Sequence, residues 1–527
     1  MQLTPPEDRL NRFLRALTLP SLTLILWMSS AGIEATASNR PMADLASLRT
    51  EVMGLISDTG WRNSDWGVLA VSLERGDTLL AMDSDRLLAP ASNQKLFTSA
   101  AALHHLGPDY RFPTFLLTDG EIRAGVLDGN LILYGTGDPA ISDQLLDSPT
   151  VPWVAFANAL KDAGVHTVSG DVIADASFFQ GPSRSPSWNS RYLDDWYAAP
   201  VSALTFSENV VTLHFRGGPP GAPARIRVAP EGAELPLLNT SISVPGNSSR
   251  SLMLERDHPD DMIKLSGQIG TNSAELSRVL TVSDPPSYTA SVFRAVIEDE
   301  GIRVKGSVSR IRSADESPLT RDNVIAPAFR KDSAQPIRTL GVYYSPPLRD
   351  LIQILNKQSH NLYGEILLFT LGRITSGDAS FHGGREALGK YLTEVVRVNE
   401  EEFNIEDGSG LSSLNRATPS AFVRLLSYVA SSDYAEHFWA SLPEAGNRRE
   451  LRRMYQSAAA GNLRAKTGTI NRVSALSGIV RTADGEPVVF SILSNNVPSS
   501  SRAKRVEDGI GIQLASFSRP PTATDGN

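Results

Sequence analysis

The spacing of apolar residues along the chain switches between helical and alternating periods, and the switches mark out its organisation. PMADLASLRTEVMGLISD (41–58) carries apolar residues at helical spacing and predicts an amphipathic helix. WGVLAVSLERGDTLLAMDSDRLLAP (66–90) alternates instead, which predicts a pair of strands joined at the turn Arg75-Gly76-Asp77. In PASNQKLFTSAAALHHL (90–106), Leu96, Ala100 and Leu103 recur at helical spacing, and Ser99, Ala101 and Ala102 are small enough for close packing around that helix.

From residue 107 to 325 short alternating runs take over, among them GNLILYGTG, TVSGDVIADASFF, NVVTLHFRGG, ARIRVAP and SRVLTVSD, separated by Gly, Pro, Asn and Asp turns. The one long helical pattern in this stretch is SYTASVFRAVIEDEG. Helical periodicity returns over Pro347–Ile374, in GREALGKYLTEVVRV and in PSAFVRLLSYVASS. The strand pattern GNLRAKTGTINRVSALSGIVRTADGEPVVFSILSNN and a last helix over 503–517 follow. The expected architecture is an α/β domain formed by residues 38–106 and 326–517, interrupted by a mostly β insert (107–325) in two smaller pieces. SRPPTATDGN (518–527) reads as a disordered tail.

The first 37 residues read as an export signal. Arg9, Arg12 and Arg15 precede the apolar run Ala16–Met28, and Ala35-Thr36-Ala37 fits a cleavage site that leaves Ser38 as the new terminus. No later stretch is apolar enough to span a bilayer, so the mature part is expected to carry no transmembrane anchor. The formal charge of −8 and the lack of a basic stripe argue against a nucleic-acid partner. The chain contains no cysteine, which excludes disulfides, thiol chemistry and thiolate metal sites. Its eight histidines form no ligand spacing; His104 and His105 are adjacent and point apart on a helix, so no metal and no cofactor is expected.

Ser92 and Lys95 stand three residues apart and share a helix face. Lysine is seldom buried without a partner, so its place on this helix asks for a reason. Alone the pair is weak: it recurs at Ser501-Arg502-Ala503-Lys504, and it also fits a serine cap beside a snorkelling lysine. Ser-x-Asn is weaker, recurring at Ser187-Trp188-Asn189 and Ser494-Asn495-Asn496. Order and setting single out one set: Ser92-x-x-Lys95 opens a helix, Ser359-His360-Asn361 falls beside another, and Lys466-Thr467-Gly468 sits on a late strand. These are the S-x-x-K, S-x-N and K-T-G elements of penicillin-interacting serine acyltransferases. In such chemistry a serine hydroxyl needs a base, and a lysine one turn away serves once burial and nearby positive charge lower its pKa. Lys466 supplies that charge and attracts a carboxylate, Ser359 relays a proton to the leaving amine, and Asn361 holds the substrate amide and Lys95. The backbone N–H groups of Ser92 and Thr469 are the candidate oxyanion hole, and Gly468 lets the strand approach the substrate.

PASNQKLFTSAAAL, SPPLRDLIQILNKQSHNLYGEILL, DGSGLSSLNRATP, AKTGTINRVSALSGIV and VVFSILSNN together resemble the D-alanyl-D-alanine carboxypeptidase/endopeptidase family of class C low-molecular-mass penicillin-binding proteins, peptidase family S13. LILYGTGDPAIS, SGDVIADASFF and YAAPVSAL also look like segments of that family, so the resemblance covers nearly the whole mature chain. Between Lys95 and Ser359 lie 263 residues, matching the large insert for which the family is known. The resemblance implies a penicillin-binding-protein/β-lactamase-like transpeptidase domain, with an antiparallel sheet flanked by helices, and location in a bacterial periplasm or cell envelope. It further implies hydrolysis of peptidoglycan stem peptides through an acyl-Ser92 intermediate, acylation by β-lactam antibiotics, and substrate contacts from Thr467, Gly468 and Thr469. Asp194 and Asp195 of the insert are candidates to meet the free amine of a substrate diamino acid; solvated turn carboxylates are the competing reading.

Departures from the family pattern fall at His360, inside the second motif, and at Ser413, where a cation is common; Arg416 lies three residues on. His360 is expected to point away from substrate with little effect. Two alternatives stand beside the main reading. A serine β-lactamase would use a glutamate such as that of Glu400-x-x-x-Asn404, although the acidic run there reads as a solvated loop. A non-catalytic wall-binding scaffold would leave the intact motif set without a purpose.

Overall fold

The computed structural model describes residues 44–247, 251–257, 261–311, 314–320, 328–329 and 337–519. The expected export signal and residues 520–527 of the expected tail lie outside them. Strands β1 (Asp65–Ser72), β2 (Thr78–Met82), β3 (Arg464–Ile470), β4 (Val473–Arg481) and β5 (Pro487–Asn495) form one antiparallel sheet in the order β2-β1-β5-β4-β3. Both ends of the chain therefore build one sheet, which is why the insert can be long without disrupting it.

Successive side chains of a strand point to opposite faces, and β5 reads this out. Val488, Phe490 and Ile492 join a core with Leu48 and Val52 of helix α1 (Leu45–Ser57), while Val489 and Leu493 join the core on the other face. Ala503, Val506, Ile510 and Leu514 complete the first core at helical spacing from the last helix, Ser500–Ser516. Beyond it Arg519 pairs with Asp77 and Glu486, so ordered contacts reach two residues into the segment expected to be a tail. On β3, Ala465 joins the first core, so Lys466 faces the opposite side.

That opposite side carries helix α2 (Gln94–Leu106), buried at every position from Gln94 to Leu103. Ala100, Ala101 and Ala102 let neighbours approach this helix, Phe97 stacks on Phe422 with ring centroids 4.4 Å apart, and Lys95 is the one charged side chain among the buried positions. The helical stretch from Pro347 divides into α3 (Leu348–Lys357) and α4 (Asn361–Ser376), broken where Ser359 takes φ +59°. No Gly or Pro marks this break in the sequence.

The insert holds separate hydrophobic cores. One, built on Trp153, Phe156, Phe206 and Phe293, lies within mixed sheets and the helices Val151–Asp162 and Pro285–Asp299. A smaller one, built on Leu213, Phe215, Ile263, Leu265 and Ile269, fills a set of short strands between Val210 and Thr281. Strand Arg338–Tyr344 pairs antiparallel with Pro113–Thr118, so the pairing of the insert continues past the expected boundary at residue 325.

Candidate active site

Ser92 sits in a single 3-10 turn, Ala91–Asn93, immediately before α2, preceded by Ala91 at φ +47°. Positive φ is uncommon for alanine and marks a conformation held by its surroundings. Lys95 follows one turn later and is fully buried. Its Nζ donates to Asn361 Oδ1 (2.7 Å), to the Ser409 carbonyl (2.6 Å) and towards Ser92 Oγ (3.1 Å). Burial pulls the Lys95 ammonium down to about 7, against the opposing pull of Glu365 and Asp407. A neutral amine has two N–H donors and one lone pair, so it can keep the two shorter bonds and turn the lone pair on the Ser92 hydroxyl.

Lys466 is equally buried, and its Nζ donates to Ser359 Oγ (3.0 Å) and to the Thr467 carbonyl (2.8 Å). Burial first, and then the charge of Lys95, lowers its pKa well below that of an exposed lysine. Asn93 ties the first motif to this strand: with its amide set to satisfy both neighbours, it donates to the Lys466 carbonyl (2.9 Å) and accepts from Ser477 Oγ (2.7 Å). Gly468 brings β3 against the nucleophile's turn: a Cβ there would lie 2.7 Å from the Pro90 carbonyl and 3.1 Å from Ser92 N. Thr469 is exposed and Thr467 half-buried. Thus Ser92, Lys95, Ser359, Asn361, Lys466 and Gly468, drawn from three distant stretches, converge.

Asp194 and Asp195 part company. Asp194 Oδ1 accepts from Arg256 Nη1 at 3.1 Å, a buried guanidinium that also meets Asp261. Asp195 accepts the Tyr197 hydroxyl (2.6 Å) at the start of the turn Trp196–Ala198. That turn reaches the second motif, since the Tyr197 carbonyl accepts from Asn361 Nδ2 at 2.7 Å. Of the family departures, His360 is buried with Nε2 3.0 Å from Glu208 of the insert, and Ser413 is exposed. Arg416 folds back on the Ser413 and Asn415 carbonyls at 2.6 and 2.8 Å. In the acidic run, Glu400 and Glu401 are exposed, and Asn404 donates to Glu406 and the Leu414 carbonyl.

Sequence reasoning missed the support beneath Lys95. Glu365 accepts the backbone N–H groups of Gly408 and Ser409, each at 2.9 Å. Burial, reinforced by Asp407, pushes the Glu365 carboxyl up to about 8. Asp407 accepts from Gly410 N, Ser412 N, Asn415 Nδ2 and Trp188 Nε1 at 2.6–2.9 Å. One signal was available: Glu365 follows Asn361 by four residues in an otherwise apolar stretch, which places both on one face of α4.

The model of the D-Ala-D-Ala carboxypeptidase 3 (S13) family matches residues 48–516. A D-alanyl-D-alanine carboxypeptidase of Actinomadura sp. (strain R39) is 30% identical, over 95% of this chain and 89% of its own length. D-alanyl-D-alanine carboxypeptidase DacB of Haemophilus influenzae is 25% identical over 81% of this chain and 84% of its own. The crystal structure of penicillin binding protein 4 from Haemophilus influenzae superposes with a TM-score of 0.70 at 24% identity, covering 89% of this chain and 98% of that one, and shares its fold.

Proposed function

The chain belongs to the D-Ala-D-Ala carboxypeptidase 3 (S13) family and is a serine-type peptidase, and on that premise we propose that Ser92 is the nucleophile that cleaves D-alanyl peptide bonds of peptidoglycan stem peptides. The observation that carries this reading is the buried Lys95 amine set between Ser92 Oγ, Asn361 and Ser409.

Neutral Lys95 takes the Ser92 proton as Oγ attacks the carbonyl carbon of the scissile bond. The developing oxyanion faces the Ser92 and Thr469 N–H groups, a reading supported by the close approach of Gly468, next to Thr469, to Ser92 N. As the C–N bond breaks, the proton that Lys95 took passes on through the Ser359 hydroxyl to the leaving nitrogen, which returns Lys95 to the neutral amine; Ser359 accepts from Lys466 and keeps its own O–H free to donate. Water then adds to the acyl-Ser92 ester with Lys95 as base, the C–O bond breaks, and Oγ regains its proton. Lys466 meets the substrate's terminal carboxylate, whose negative charge favours the ammonium form against burial. Asn361 orients the substrate amide, with Thr467, Gly468 and Thr469 lining the strand side.

A penicillin carbonyl fits the same place and acylates Ser92. An exported enzyme of the bacterial envelope accords with the signal-like N-terminus, and no described helix is long and apolar enough to cross a membrane. The test is mass spectrometry of purified muropeptides after incubation with wild type and with Ser92→Ala. Serine-dependent loss of one alanine from pentapeptides, or conversion of cross-linked dimers to monomers, is the expected result. Absence of both overturns the proposal.

A further inference from the structure

The middle residue of the second motif is tied to the insert by a pair of side chains that the reaction does not use. His360 lies between Ser359 and Asn361, whose side chains serve Lys466 and Lys95. Its own ring turns the other way, with Nε2 3.0 Å from Glu208 Oε2 and both side chains largely buried. Tyr363 packs against the ring at 4.9 Å between centroids, and Trp196 at 5.9 Å. Burial, the largest influence, opposes ionisation of Glu208, but His360, Gln144 and Ser142 together outweigh it and hold the carboxyl below its ordinary range.

The backbone that presents Glu208 is itself unusual. Ser207, Glu208 and Asn209 have φ of +45°, +58° and +57°, a left-handed run without a glycine. Such runs persist only where the surroundings over-determine them, and here they do. Ser207 N donates to the Ile141 carbonyl (2.8 Å), Asn209 Nδ2 to the Pro200 carbonyl (2.9 Å), and the Asn209 carbonyl accepts from Val282 N (2.9 Å). The partner residue is also constrained: Ser359, the preceding residue, has φ +59°, and Asn361 starts α4. A rigid, strained turn of the insert thus grips His360, a buried residue of the α3–α4 break whose side chain faces away from the reacting groups.

We propose that Glu208 is a positioning residue for the reaction: its contact with His360 fixes the α3–α4 break so that Ser359 stays on Lys466 and Asn361 on Lys95. The inference rests on the reading of Ser92 as nucleophile and adds that the insert sets the geometry of the second motif. Displacing a reacting group by about 1 Å can cost on the order of 10²-fold in rate.

The test measures the rate constant for acylation by a fluorescent penicillin, normalised to the fraction of sites that finally take label, in the full chain. Glu208→Ala is expected to slow acylation by about 10- to 100-fold per competent site. Glu208→Gln, which keeps an acceptor for the His360 ring, should recover to within a few-fold of wild type. Glu208→Ala combined with His360→Ala should be no slower than the slower single variant, because both remove one contact. Full-rate acylation in Glu208→Ala overturns the proposal, as do equal losses in the Ala and Gln variants or multiplied losses in the double variant. A loss confined to the fraction of labelled sites also overturns it, since that marks a purely structural role. A wild type that takes no label overturns the Ser92 reading itself, and this proposal with it.

Discussion

Lys95 and Glu365 hold the same residue from opposite sides: the Ser409 carbonyl accepts from Lys95 Nζ at 2.6 Å while the Ser409 N–H donates to Glu365 at 2.9 Å. The base is therefore aimed by a backbone segment that a buried carboxylate fixes. A lysine in this position has little freedom to leave Ser92.

This arrangement sets a pH dependence. Only the free amine can take the Ser92 proton, and burial places Lys95 at about 7. Because its pKa is depressed, the active form is complete above that value and is lost as pH falls through it. Acylation by penicillin, followed by stopped flow, should fall by about tenfold per pH unit on the acid side. Lys95→Arg, which cannot deprotonate, should slow acylation by about 10²–10⁴-fold on the plateau above that pH and show no acid limb of its own. A pH-independent rate between 5 and 8 (about two units and one unit either side of that value) would contradict the assignment of Lys95 as base.

Glu365→Gln separates support from charge. The carboxylate accepts two backbone N–H groups, whereas an amide offers one acceptor oxygen and turns an NH2 towards the other donor. Leaving a buried donor unmet should destabilise the protein by about 1–3 kcal/mol in denaturant unfolding. Because burial pushes the Glu365 carboxyl up to about 8, it is largely neutral where Lys95 titrates, so the neutral amide should leave the acid limb of acylation in place. A limb that moves to lower pH would show that Glu365 is charged where Lys95 titrates.

Why some of this was legible and some was not has physical causes. Alternation at Val488, Phe490 and Ile492 against Val489 and Leu493 is a local pattern, so the central strands could be read directly. The motif Lys466-Thr467-Gly468 could be set on a late strand, but the face that Lys466 takes follows from Ala465 packing into the opposite core. The α3–α4 break was not: Gln358-Ser359-His360 contains no Gly or Pro, and the positive φ of Ser359 belongs to tertiary contacts with Lys466 and the insert. Glu365 could be put beneath Asn361, but its partners Gly408 and Ser409 lie more than 40 residues on. Asp194 and Asp195 are neighbours of identical chemistry, and the Arg256 that meets Asp194 lies 62 residues on.

That distinction yields opposite outcomes for the two carboxylates. Asp195 lies beside the turn that meets Asn361, and we propose it, rather than Asp194, as the contact for a substrate amine. Asp195→Ala should raise KM for a peptide with a free side-chain amine up to about fivefold relative to its N-acetylated form, the worth of an exposed ion pair. Asp194→Ala should leave that ratio unchanged and lower the melting temperature, because buried Arg256 loses a carboxylate that it pairs with. The reverse pattern would exchange their roles.

Two glycines test whether the approach of β3 to the nucleophile matters for the chemistry. A Cβ on Gly468 would press within 2.7 Å of the Pro90 carbonyl and 3.1 Å of Ser92 N, both backbone atoms that no rotamer change can clear. The strand must move off, which separates the Ser92 and Thr469 N–H groups meant to share one oxyanion. Gly468→Ala should therefore slow acylation on the order of 10²-fold while the protein stays folded. Gly54, in the interior of α1, has nothing within 4 Å of the position its Cβ would take. Gly54→Ala should stabilise the protein by about 0.4–1 kcal/mol through the unfolded chain's lost freedom, with acylation unchanged. If Gly468→Ala acylates as fast as wild type, the oxyanion lies elsewhere than between Ser92 and Thr469.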